Sequence, residues 1–167
     1  MSHRLFEGKF KTKPYSALDY EGYKFIHLNN FLGSTQDHTS VDFNPIIGSL
    51  GEEQLHWFEA QLQQHKPTFV FIHYPLIQDV PAEFSDYGLH PLKKYQDNIQ
   101  LVVSGHKHKW IDYAHNYGPQ HYVMAATRYD PNAYMLMEVD TKHATWRFMN
   151  ASLVEWSTHY SKPYVAA

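Results

Sequence analysis

The sequence predicts a mixed α/β fold, rich in β-structure and closing on an antiparallel portion, and three observations carry that prediction. Two apolar runs, Phe69-Val-Phe-Ile-His-Tyr-Pro-Leu76 and Leu101-Val-Val-Ser-Gly-His-Lys-His108, are dense in β-branched and aromatic residues without alternation, as strands buried on both faces are. A helical period stands directly before the first run, with Leu55, Phe58 and Leu62 at i, i+3 and i+7. After the second run come four alternating or aromatic stretches separated by turn residues, the pattern of an antiparallel meander. The 167 residues suit one domain with a sizeable core. No internal repeat or linker divides them.

Taken in order, residues 1–13 are basic and unpatterned. Pro14–Tyr20 and Tyr23–Leu28 are two β-like runs separated by Glu21-Gly22, and two residues of turn chemistry between such runs predict a hairpin. Residues 29–49 are polar and rich in Gly, Ser, Thr and Asp, a loop long enough to be functional or mobile. The spacing predicts a helix over 49–65, with Glu52 and Glu53 in its first turn and Lys66-Pro67 ending it. The strand 68–72 follows at once. Residues 74–89 are irregular, 91–97 suit a short helix, and 99–103 form the second buried strand. The later runs are 110–113, 121–125, 134–139 and 144–149. The tail 151–167 either docks on the domain or frays.

Composition narrows the function. The formal net charge is -3 with no basic stripe, which disfavours nucleic-acid binding through phosphate electrostatics. No cysteine is present, so thiolate metal sites and disulfides are ruled out. Thirteen histidines stand out; a metal here has to be held by imidazole and carboxylate ligands, which suits Zn, Mn, Fe or Co. No apolar run approaches the ~20 residues of a membrane span, and no apolar stretch follows Met1-Ser-His-Arg, so a cytoplasmic location is expected.

Both buried runs end in histidine where Pro or Gly breaks the strand. Ligands in open α/β sheets bind outside the carboxyl ends of strands, so two neighbouring strands ending this way would gather His73, His106 and His108. Gly105 lets the backbone approach closely there. His27, on a hairpin strand, and His56, on a helix face, are expected to be structural or merely exposed. Phe31, Phe43, Phe84 and Tyr87 in the two loops are expected to be packing rather than a substrate wall.

Three blocks in this order, Gly48-Ser-Leu-Gly-Glu-Glu-Gln-Leu-His-Trp-Phe-Glu59, Lys66-Pro-Thr-Phe-Val-Phe-Ile-His-Tyr-Pro-Leu76 and Val103-Ser-Gly-His-Lys-His108, resemble the second, C-terminal half of the calcineurin-like metallophosphoesterase family. The hairpin 14–28 resembles the one that follows the family's Gly-Asn-His motif. The resemblance implies part of an αββα sandwich with a two-metal site at its strand ends. It implies that His73 and His106 share one metal and that His108 holds its neighbour, and that the reaction is metal-dependent hydrolysis of a phosphomonoester or phosphodiester.

The family's Asp-x-His, Gly-Asp and Gly-Asn-His motifs have no counterpart in the chain. Three neutral imidazoles carry no negative charge to offset two divalent ions, so a dinuclear site is expected only if ligands come from elsewhere. The expectation is therefore a single but incomplete domain over residues 1–167. It supplies the histidine half of the site and works with a complementary chain or by self-association that covers an exposed sheet. The alternative is a non-catalytic remnant or partner-binding module holding at most one weak metal; a mononuclear hydrolase using histidines alone is a third reading. Asp42, Asp79, Glu83 and Asp86 are the loop carboxylates nearest the expected site.

Overall fold

The computed structural model describes residues 3–76, 89–113 and 118–150. A short helix, α1 (His3–Phe10), opens them where the sequence suggested no pattern. It buries none of its residues, and Phe6 and Phe10 meet across one turn, the i, i+4 contact that supports a helix lacking an apolar face.

The hairpin β1 (Ser16–Tyr20) and β2 (Tyr23–His27) pairs Tyr20 with Tyr23. Glu21 and Gly22 both have positive φ, 47° and 87°, the twist that a two-residue hairpin turn requires. After the loop, α2 (Glu52–Leu62) begins at Gly51, with φ 77°. A Cβ at Gly51 would lie 2.9 Å from the Leu32 carbonyl oxygen, so glycine is required by both torsion and space. No side chain caps this helix; Glu52 and Glu53 complement its N-terminal dipole instead. Gln54, Phe58 and Leu62 form the buried face, and β3 (Thr68–Phe71) follows. Then come α3 (Leu89–Lys94), β4 (Ile99–Ser104), β5 (Ile111–Asp112), β6 (His121–Val123), β7 (Met137–Asp140) and β8 (Thr145–Phe148).

These strands make a mixed six-stranded sheet in the order β1-β2-β3-β4-β6-β5 and a separate two-stranded sheet, β7-β8. The pairs β2/β3, β3/β4 and β4/β6 are parallel; β1/β2 and β5/β6 are antiparallel. The fold is thus α/β and β-rich, as the sequence predicts. Its later strands are antiparallel pair by pair, but the two pairs lie in different sheets and do not form one meander.

Alternation along the strands separates two cores. One face of the large sheet packs Ile26, Val70 and Val102 with Phe58 and Leu62 of α2 and Leu92 of α3. The other packs Tyr23, Phe69, Leu101 and Tyr122 against Met137, Val139, Trp146 and Phe148 of the small sheet. The layers therefore run helix, sheet, sheet. The second interface is incompletely filled: an apolar cavity of about 110 Å³ lies between Phe71, Val103, Tyr122, Met137 and Phe148.

Residues 77–88, with Asp79, Glu83, Phe84 and Asp86, lie outside the described residues, as does the tail 151–167. Among the described residues no helix is long and apolar enough to cross a membrane.

Candidate functional site

The parallel neighbours β3 and β4 send their carboxyl ends to the same edge of the sheet, and the chain exits there are tied together. Ile72 N–H donates to the Val103 carbonyl at 3.0 Å, and Gly105 N–H donates to the His73 carbonyl at 3.0 Å. His73 and His106 rings lie 5.4 Å apart, nearly perpendicular. His108 is close enough to both for its charge to disfavour theirs. His73 and His106 are therefore side by side, while His108 lies within electrostatic reach of both but does not close a three-residue ligand group with them.

Their conformation is unusual. His106 and His108 both have left-handed backbones, φ 67° and 54°, a region that non-glycine residues enter at a cost. The alternation left-handed, ordinary, left-handed turns the chain so that His106 faces His73 and His108 faces Tyr129, 5.4 Å away. Gly105 leaves clear ground beside His73: a Cβ there would meet Nδ1 of His73 only at 3.8 Å. Gly105 is thus not dictated by steric conflict.

Two aromatic rings frame the cluster: Tyr74, which the sequence did not single out, and Phe31. Tyr74 lies over His106 at 3.9 Å, and Phe31 stacks on His73 at 5.7 Å while meeting Tyr74 edge-on. Phe31 is thus both packing and part of the site wall. Phe43 packs on His38 at 4.4 Å, and its role is packing. His27 stacks on Phe71 at 5.1 Å, and His56 is exposed on α2; neither joins the cluster.

Burial pushes the His73 imidazolium down in pKa, with His108 adding to the effect. Burial does the same to His106, followed by the charges of His73, Lys107 and His108. Both rings therefore favour the neutral form, which can accept a hydrogen bond or donate a lone pair to a metal.

A buried polar frame holds these exits, and only the structure reveals it. Asn30, fully buried, donates to the Tyr74 carbonyl at 3.0 Å and accepts from Tyr74 N–H at 3.2 Å. On the far side, Ser104 Oγ and His121 Nε2 lie 2.7 Å apart beneath the site. A buried Ser beside a glycine at a strand end is the one sequence signal that could have pointed to this frame.

The histidines do not by themselves fit the two-metal centre that the resemblance implies. Among the described residues, no group of three or more His, Asp or Glu is arranged to hold a metal ion. Two divalent ions bring about four positive charges and need anionic, bridging ligands. Asp37, the carboxylate beside His38, is occupied by Thr39 instead.

No protein-family model matches the chain, and no curated protein matches it. Comparison with solved structures finds similarity to a dimetal phosphatase from Danio rerio, with a TM-score of 0.47 and 17% identity, over 75% of this chain and 52% of that one. The chain spans about half the length of that structure. A similarity of this size carries no argument about activity.

Proposed function

We propose that this chain carries the histidine half of a metal-dependent phosphoesterase site, with the carboxylate half supplied from outside the described residues by a complementary chain. The observation that supports this reading is the close approach of His73 and His106 at the exits of two adjacent parallel strands, with His108 within electrostatic reach of both, where α/β sheets bind ligands. The strained backbone at two of the three histidines supports it. Strain of this kind concentrates at functional positions.

The chain's own contribution is to hold neutral imidazoles beside aromatic walls at an accessible sheet edge. Lys107, exposed next to His106, adds positive charge suited to a phosphoryl group. Substrates of this class are small phosphomonoesters or phosphodiesters.

Metal content by mass spectrometry and Mn²⁺-dependent hydrolysis of bis(p-nitrophenyl) phosphate test the reading. The chain alone is expected to hold at most one ion and to turn over little. Co-expression with a polypeptide bearing Asp-x-His, Gly-Asp and Gly-Asn-His is expected to give two ions and hydrolysis that His106→Ala abolishes. Two ions and turnover by the chain alone would place the carboxylates in its own loop, with Asp79, Glu83 and Asp86 as the groups to mutate. No hydrolysis under either condition would sink the proposal.

One observation favours a second reading, a non-catalytic module. Tyr74 covers a face of His106 at 3.9 Å, and no ligand group is closed around the cluster among the described residues. That reading predicts zero or one ion and no turnover with any partner.

A further inference from the structure

The frame beneath the cluster contains a histidine that the proposed chemistry does not use. His121 opens β6 and is fully buried. Ser104, the last residue of β4, is also buried, and its hydroxyl lies 2.7 Å from His121 Nε2. The same ring hydrogen-bonds the backbone of Leu76, an interaction that favours its protonated form, as a carbonyl acceptor does. A neutral imidazole offers one donor and one acceptor. The arrangement that satisfies both partners has the ring donating to the Leu76 carbonyl and accepting from the Ser104 hydroxyl. Tyr113 packs against the ring at 5.7 Å.

The position of these partners gives the ring its meaning. Ser104 stands two residues before His106, and Leu76 three residues after His73. The two exits are joined directly by the Ile72–Val103 and Gly105–His73 backbone bonds, and Asn30 holds the β3 exit from the β2 side. Among the bonds described, His121 is the side chain that bridges both exits, from beneath. We propose that His121 is a positioning residue that sets the spacing of His73 and His106 by tying Ser104 to Leu76. Its relevance to catalysis rests on the reading of the histidine cluster above, but the positioning itself does not. Burial holds the ring neutral, pushed down to about 3, so both bonds persist at ordinary pH.

The test uses the whole chain and reads geometry rather than turnover. In wild type, ring protons of His73 and His106 are expected to show a nuclear Overhauser contact, and Zn²⁺ titration gives a reference affinity. His121→Gln can donate to Leu76 and accept from Ser104, so it is expected to keep the contact and the affinity within about threefold. His121→Leu removes both bonds at similar volume. It is expected to retain a cooperative melt while losing the ring contact and about tenfold or more in Zn²⁺ affinity.

Should His121→Leu fail to fold, Ser104→Ala removes one bond and leaves the ring in place; it too is expected to weaken the contact. A folded His121→Leu or Ser104→Ala that keeps the wild-type contact overturns the proposal. If the contact is lost on substitution but wild type binds no Zn²⁺ and hydrolyses nothing with any partner, His121 stands as a positioning residue and the phosphoesterase reading falls. Loss of the contact in His121→Gln to the same degree as in His121→Leu would also overturn it, since hydrogen bonding would then not be what positions the rings.

Discussion

At the scale of single residues, the left-handed backbones of His106 and His108 set a conflict between stability and function. An L-residue pays roughly 1–2 kcal/mol for that region, and glycine escapes most of it at some loss of chain entropy. His108→Gly is therefore expected to raise stability by about 0.5–1 kcal/mol in urea unfolding while removing one imidazole from the cluster. A less stable variant would mean that contact with Tyr129 matters more than backbone strain. Gly48 makes the opposite point. A Cβ there would sit 2.5 Å from Asn30 Nδ2, and Asn30 holds both polar groups of the Tyr74 backbone. Gly48→Ala is expected to cost about 1–3 kcal/mol and to speed amide exchange at Tyr74; unchanged exchange would show that Asn30 finds another rotamer.

At the scale of elements, the small sheet β7–β8 acts as the cover of the large one. Trp146 meets Phe69 edge-on at 5.7 Å and Phe148 at 5.6 Å, while Phe69 is fully buried. Trp146 is only half-buried, so Trp146→Ala is expected to cost about 2–3 kcal/mol, below the ~3–5 of a fully buried aromatic. Chemical denaturation read by circular dichroism measures this directly, and a cost below 1 kcal/mol would mean that the cover is loosely attached. The helical side differs: α2 presents Phe58 and Leu62 to the sheet, and Lys94 pairs with Glu59 to join α3 to α2.

At the scale of the molecule, the buried His121 and the partly desolvated His73 and His106 predict how stability follows pH. His73, His106 and His121 all have folded pKa values below the ordinary 6.5, so the unfolded chain binds protons that the folded chain refuses. Stability is then fully present above about pH 6.5 and falls as pH drops towards 3, His121 contributing roughly 5 kcal/mol at most over that window. The lowered carboxylates Asp19, Asp37, Glu59 and Asp140 have the same sign but act only below the carboxylate range. Urea unfolding at pH 7, 5.5 and 4.5 is expected to show a progressive loss that His121→Gln makes shallower. A flat profile between 7 and 4.5 would contradict a neutral His121 held buried in the folded chain.

The sequence by itself determined most of the elements and the identity of His73 and His106 as the histidines that meet at adjacent strand ends. The period in α2, the Glu21-Gly22 turn and the uninterrupted apolar runs of β3 and β4 are local signals, set by torsional preference and by which faces must leave water. The strand-end positions of His73 and His106 followed from those runs. Tertiary structure alone decided the rest. That β3 and β4 are parallel neighbours, and that β5–β6 joins the large sheet while β7–β8 stands apart, depends on pairings between distant residues that share no local pattern. Asn30 and His121 were illegible for the same reason. Each reads as an ordinary polar residue until the fold places it, fully buried, against the backbone that carries the cluster.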